Sequence, residues 1–238
     1  HPELLDWLAI QFMEEGWSTK KLVRRLVLSQ TFRQSGWVSE AGAECDPGNR
    51  LLHHYPTRRL EAEAIRDSML AVSGRLDPQL YGPPINPPRP VEDAQKRLFS
   101  GPLDGNGRRS LYIKMSIMDP PKFLVCFNLP DPKLPTGRRD VTNVPAQALT
   151  LLNDPLVQHL AEVWATTIVQ DGQNKPEERL RGMFLAALGR EPSPDELERW
   201  TRVTVELAPS QENLMSDLQT WSDVAHSLFN TKEFIYYR

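Results

Sequence analysis

The chain is poor in cysteine: Cys45 and Cys126 are the only two in 238 residues. They form no C-x-x-C pair, which excludes zinc-ribbon and thioredoxin-type redox motifs. They form no C-x-x-C-H either, so these residues attach no c-type haem covalently. Cys126 lies in the apolar run 123–127, where a buried, unreactive thiol is expected. A bond between the two would require an oxidising compartment. No apolar run approaches the ~18 residues of a membrane helix. Neither sign of charge dominates: 28 Lys and Arg against 31 Asp and Glu leave a net −3. A dedicated nucleic-acid binder shows a strong basic excess instead. The nucleophile elbow G-x-S-x-G and the phosphate-cradling P-loop are missing. The histidines, His1, His53, His54, His159 and His226, offer no H-x-x-x-H or H-E-x-x-H spacing. His53 and His54 are neighbours, and on regular structure their rings would point apart. His159 and His226 read as half-buried helix residues. No basic segment followed by an apolar one marks a signal peptide, which says nothing about export of a parent protein.

Hydrophobic residues make up 39% and charged residues 25%, the balance of a soluble globular protein. The length is enough to bury a core. We read 1–238 as a single helical domain. The opening His1-Pro2, without methionine and at the start of a helical pattern, reads as an N-terminal truncation from a larger protein.

Leu4, Leu5, Leu8, Phe12 and Met13 predict a first helix ended by Gly16. Ser18 or Thr19 caps a second with Leu22, Val23, Leu26 and Val27 on one side. The short connection makes them an antiparallel hairpin. Residues 35–56 read as loop. A third helix is predicted from about Arg58 to Ser73, capped by Thr57, with Leu60, Ala64, Ile65 and Leu70 inward and Glu61, Glu63, Arg66 and Asp67 on the remaining faces. Proline is abundant, 21 of 238 residues, about 9% against a usual ~5%. It concentrates in a Pro/Gly-rich insert, 77–108, which can form neither a continuous helix nor a central strand. Residues 110–115 alternate as a strand would, with the insert as the available partner.

The second half returns to helices. Pro145 starts one that runs to Leu152, and Asp154-Pro155 restart the next. Pro176 opens another, closed by Gly189. Ser193-Pro194-Asp195-Glu196 is a full capping box. A last helix is predicted over 212–229. The fold class is therefore mainly α: an irregular bundle of about eight helices with a long Pro-rich loop and at most a small β element. The tryptophans fall mostly at core spacing; Trp37, in a loop, is the one placed to stack on a ligand.

Four Arg-Arg pairs stand out: Arg24-Arg25, Arg58-Arg59, Arg108-Arg109 and Arg138-Arg139. Guanidinium groups grip carboxylates and phosphates in two-pronged fashion. One expectation is a set of internal ion pairs tying loops to helices, with Arg138 among them. The alternative is an anion or substrate site formed by Arg59, Glu63, Asp67, Arg109, Arg138, Arg139 and Asn143. Asn143 and Asn153 also suit helix caps.

The motif order is HPELLDWLA, GWSTKKLVRRLVLSQTFRQS, NRLLHHYPTRRLEAEAIRDSMLAVSGRLD, RRSLYIKM, RRDVTNVPAQALTLLND, FLAALGREPSPDEL and SDVAHSLFNTKEFIYYR. This resembles the planctomycete-specific C-terminal domain of unknown function, the PSD family, over nearly the whole chain. The resemblance implies a large, exported, multidomain parent, periplasmic or at the cell surface, with an upstream cytochrome c-like domain that carries any covalent haem. It implies no cofactor for this chain and no catalytic residue to carry over. Relatives read Cys-Pro-Arg-Arg where this chain has Pro135-Thr136-Gly137-Arg138-Arg139, so the cysteine is missing and the arginines remain. The expected function is a non-catalytic scaffold or interaction module. Its expected partners are upstream domains of the same polypeptide, a haem-binding one among them, or a cell-surface polysaccharide, without nucleic acid. The alternative is an enzyme or binding domain for a polysaccharide or another anionic substrate.

Overall fold

The helical signals become eleven α-helices among the described residues of the computed structural model, eight of them seven residues or longer. The described residues are 1–172, 175–210 and 212–237. These residues gather into two compact units, His1–Arg58 with Tyr237, and Arg59–Tyr236.

In the first unit, α1 (Pro2–Glu14) ends where Gly16 takes a positive φ of 74°. Ser18 caps α2 (Thr19–Val27) by accepting from the Lys21 amide at 3.4 Å. Arg25 of α2 reaches back to α1, donating to Gln11 Oε1 at 2.8 Å and to Glu15. The segment read as loop contains a short helix, α3 (Glu40–Cys45). Ser39 starts it by accepting from the Gly42 amide at 3.1 Å, a cap that Gly42 and the nearby loop glycines obscured in the sequence. None of α1, α2 or α3 buries a residue. Trp7, Trp17 and Trp37 are accordingly 48%, 67% and 80% exposed, against the expectation that the first two lie in a core. Apolar spacing marks the face a helix would bury, but no layer within this unit covers it.

The second unit has the core. The helix expected from Arg58 begins later, as α4 (Ala62–Val72), because Arg58–Arg59 are extended as β1. β1 pairs with β2 (Tyr236–Tyr237), and the Leu60 amide donates to Ile235 O at 2.8 Å. That pairing is some 175 residues away along the chain, beyond any local signal. After the insert come α5 (Lys122–Cys126), α6 (Pro145–Asn153), α7 (Pro155–Gln170), α8 (Pro176–Leu188), α9 (Pro194–Leu207), α10 (Leu218–Phe229) and α11 (Lys232–Ile235). Asp154 caps α7, Gly189 closes α8 in the left-handed region, and the full capping box opens α9. The last long helix starts at Leu218 rather than 212, because Asp217 takes the cap and Leu214–Ser216 form a separate 3-10 turn.

The pair α7 and α10 is the spine of this core. Trp164 stacks on Phe229 with ring centroids 5.4 Å apart, and fully buried Trp221 donates its indole N–H to Leu214 O at 2.8 Å. Ile65, Met69 and Leu70 of α4 join the same cluster.

The insert is threaded back onto the fold by backbone bonds. Ile85 bridges in parallel to Ile113, and Asp77 to Arg108. Residues 110–115 do pair with the insert, but Ser110–Tyr112 form a 3-10 turn instead of a strand, so a single bridge replaces a ladder.

Candidate functional site

The polar cluster is organised by α4. Its buried positions are Ala62, Ile65, Arg66, Met69 and Leu70, the spacing of one helix face. Arg66 thus sits on the apolar stripe, not among the solvated residues where its charge had placed it. It is 3% exposed, and its guanidinium donates to Arg108 O at 3.0 Å, Asp104 O at 2.7 Å and Ser110 Oγ at 3.2 Å. Burial lowers its pKa, with Asp67 and Asp104 pulling the other way.

Glu63 and Asp67, four residues apart, share the next face. Arg139 grips Glu63 with both ends of its fork, at 2.7 and 3.0 Å, and reaches Glu61 at 3.2 Å. Burial would raise the Glu63 carboxyl, but the Arg139 bonds and charge outweigh it and hold the group below its ordinary value. Asp67 Oδ1 accepts from the Ser110 amide and hydroxyl, both at 2.7 Å, and its other oxygen lies 3.7 Å from Arg109.

Arg59 forms a second node. It donates to Gln147 Oε1 at 2.9 Å, to Asn128 Oδ1 at 2.5 Å and to Thr142 O. Gln147, 3% exposed, also donates to Cys126 O at 3.0 Å. Asn128, whose backbone is left-handed at φ 67°, takes part as an acceptor through Oδ1.

The structure brings Arg139 to Glu63 and Arg109 to Asp67, and places Arg59 apart from them with Asn128 and Gln147. Arg59, Glu63, Asp67, Arg109 and Arg139 each meet a partner on or beside α4, α5 or α6. Arg138 and Asn143 join neither group. Both are exposed, and the internal pair expected of Arg138 belongs to Arg139. Arg138 lies in a bend with its side chain in solvent, and Arg139, the next residue, is the one that reaches Glu63. Nor does Asn143 cap a helix: Val144 holds that position at α6, and Asn153 lies in its last turn. The candidate set drawn from the sequence left out Arg66, Arg108, Ser110, Asn128 and Gln147. For Arg66 the signal was available, since it stands four residues from both Ala62 and Leu70.

Arg108 pins the insert, donating to Gln79 O at 3.2 Å and Tyr81 O at 2.6 Å, with its guanidinium 4.1 Å from the Tyr112 ring centroid. In the first unit, His53 and His54 meet instead of pointing apart, Nδ1 to Nδ1 at 3.4 Å, because their loop is not regular structure. Among the described residues no three His, Cys, Asp or Glu side chains gather as metal ligands. Both cysteines are free; Cys126 is half-buried, with Sγ 3.2 Å from Thr150 Oγ1. A groove of about 410 Å³ between α7 and α10 is lined by His159, Glu162, Thr166, Gln219 and Ser222, and by none of the candidate residues.

A family model described as PSD1, protein of unknown function (DUF1553), matches residues 1–204. The chain belongs to this family. No curated protein and no solved structure matches it. All of the α4 cluster lies within the span matched by the PSD1 model, as do α1 to α8.

Proposed function

We propose that this PSD1 domain is a non-catalytic interaction module, and that its polar cluster holds the fold together. One observation carries the reading: the charged side chains that could have formed a reaction centre are engaged with protein groups. Glu63 is taken by Arg139, Asp67 by Ser110 and Arg109, and Arg59 by Asn128 and Gln147. A general acid or base needs an accessible group whose pKa is tuned toward its working pH. The Glu63 carboxyl is instead held lower. In this reading the parent protein is exported and multidomain, and the module joins its upstream regions or another copy. The export and the haem-bearing neighbour rest on the family resemblance stated from the sequence.

A thermal-shift screen tests it, with neutral, sulfated and phosphorylated sugars, divalent metals and haem as probes. A ligand that binds the folded state raises the melting temperature with concentration. The module reading expects a flat panel. A rise with an anionic sugar, lost in Arg109→Ala or Arg138→Ala while the helical signal is retained, would replace it with the substrate-site reading.

A further inference from the structure

The hairpin α1–α2 has a chemistry that the α4 cluster does not use. Neither helix buries a side chain, although α1 is apolar around most of its circumference, a pattern that belongs in a core. The seam between the two helices occupies one face of each, where Arg25 meets Gln11 and Glu15 and lies 5.2 Å from the Trp7 ring centroid. Apolar side chains away from that seam remain open. Leu5, Ile10 and Met13 of α1 and Val23, Leu26 and Val27 of α2 are all between 39% and 68% exposed.

Charge is segregated along the same hairpin. Glu3, Asp6 and Glu14 are on α1, with Glu15 just after it, and there is no lysine or arginine there; Lys20, Lys21, Arg24 and Arg25 are on α2, which has no acid. An anionic membrane surface would draw in α2 and repel α1. A second copy suits both. Under a two-fold axis each α1 faces the α2 of the other molecule, so one hairpin is the electrostatic complement of another.

We propose that α1–α2 is a self-association element: two copies of the chain close their outward apolar faces into a four-helix arrangement, acidic helix against basic helix. This names the partner for the interaction reading above and rests on it.

Sedimentation velocity on the full chain, over a concentration series, tests the proposal. A reversible monomer–dimer equilibrium is expected. Ile10→Glu with Leu26→Glu should weaken it by about tenfold or more, with the helical circular dichroism retained, since both side chains are exposed. Lys20→Glu with Arg24→Glu should weaken self-association on its own. Mixed with a chain carrying Glu3→Lys and Asp6→Lys, it should recover a dimer. A monomer at every concentration, or a dimer indifferent to both variants, overturns the proposal. So does a chain that stays monomeric and binds phosphatidylglycerol vesicles instead. A monomer combined with a flat ligand panel would remove this partner and leave the interaction module standing.

Discussion

Glu196 accepts two hydrogen bonds from Arg190, at 2.8 and 2.9 Å, and one from the Ser193 amide. These hold its carboxyl at about 2, against an ordinary 4.5. A carboxyl more acidic in the folded state stabilises it fully above the unfolded value and loses that contribution as pH falls through the folded one. Glu63 shifts in the same direction. Urea midpoints should therefore decline as pH drops from ~5 toward ~2. Glu196→Gln should start from a lower midpoint at neutral pH and decline less; parallel curves would rule the pair out as a source of acid lability. The two neighbouring arginines make a sharper contrast. Arg139 is about one-third exposed, so solvent screening holds the expected cost of Arg139→Ala to roughly 1 kcal/mol, while Arg138→Ala should stay within about 0.5 kcal/mol. Equal midpoint shifts in urea would contradict the assignment. At this scale the sequence showed which residues carry charge, but not which of two adjacent arginines turns inward. That choice depends on the local backbone and on where Glu63 waits.

Elements were legible where their signals are local. Ser18, Asp154, Ser193 and Gly189 act within a turn of their own position, and each starts or ends the helix it was expected to. They failed where a distant strand or a nearer cap competes: β2 holds Arg58–Arg59 out of α4, and Asp217 shortens α10. The insert is the extreme case, since its order comes from separated backbone contacts. Gly107 shows what those contacts demand. Its φ is +75°, its carbonyl receives the Asp77 amide at 2.8 Å, and a Cβ there would stand 1.9 Å from Arg75 O. Gly107→Ala should cost about 2 kcal/mol or more. At Gly137, where a Cβ would meet nothing within 4 Å, the same change should be nearly silent. Melting temperatures of the two variants decide it, and a silent Gly107→Ala would mean the insert is not held as described.

The uneven distribution of buried residues matters most for the whole molecule. Ile65, Leu160, Trp221 and Phe229 are fully enclosed in the unit formed by Arg59–Tyr236. Residues 1–58 have no buried side chain to resist opening. A segment of that size without a core is marginal unless something covers it. The helical patterns of α1 and α2 gave the hairpin correctly. They could not say that its apolar faces would remain open, because periodicity reports that a face is apolar and not what meets it. Hydrogen exchange should expose the difference. In dilute solution the amides of α1 and α2 should exchange well before those of α7 and α10, whose opening follows global unfolding. Raising the protein concentration should slow exchange in α1 and α2 selectively, because burying those faces in a dimer stabilises the closed hairpin by mass action. Equal protection of both helix pairs in dilute solution would mean that the hairpin is held by more than the contacts described within its unit. Unequal protection that ignores concentration would leave the open faces without a second copy to close them.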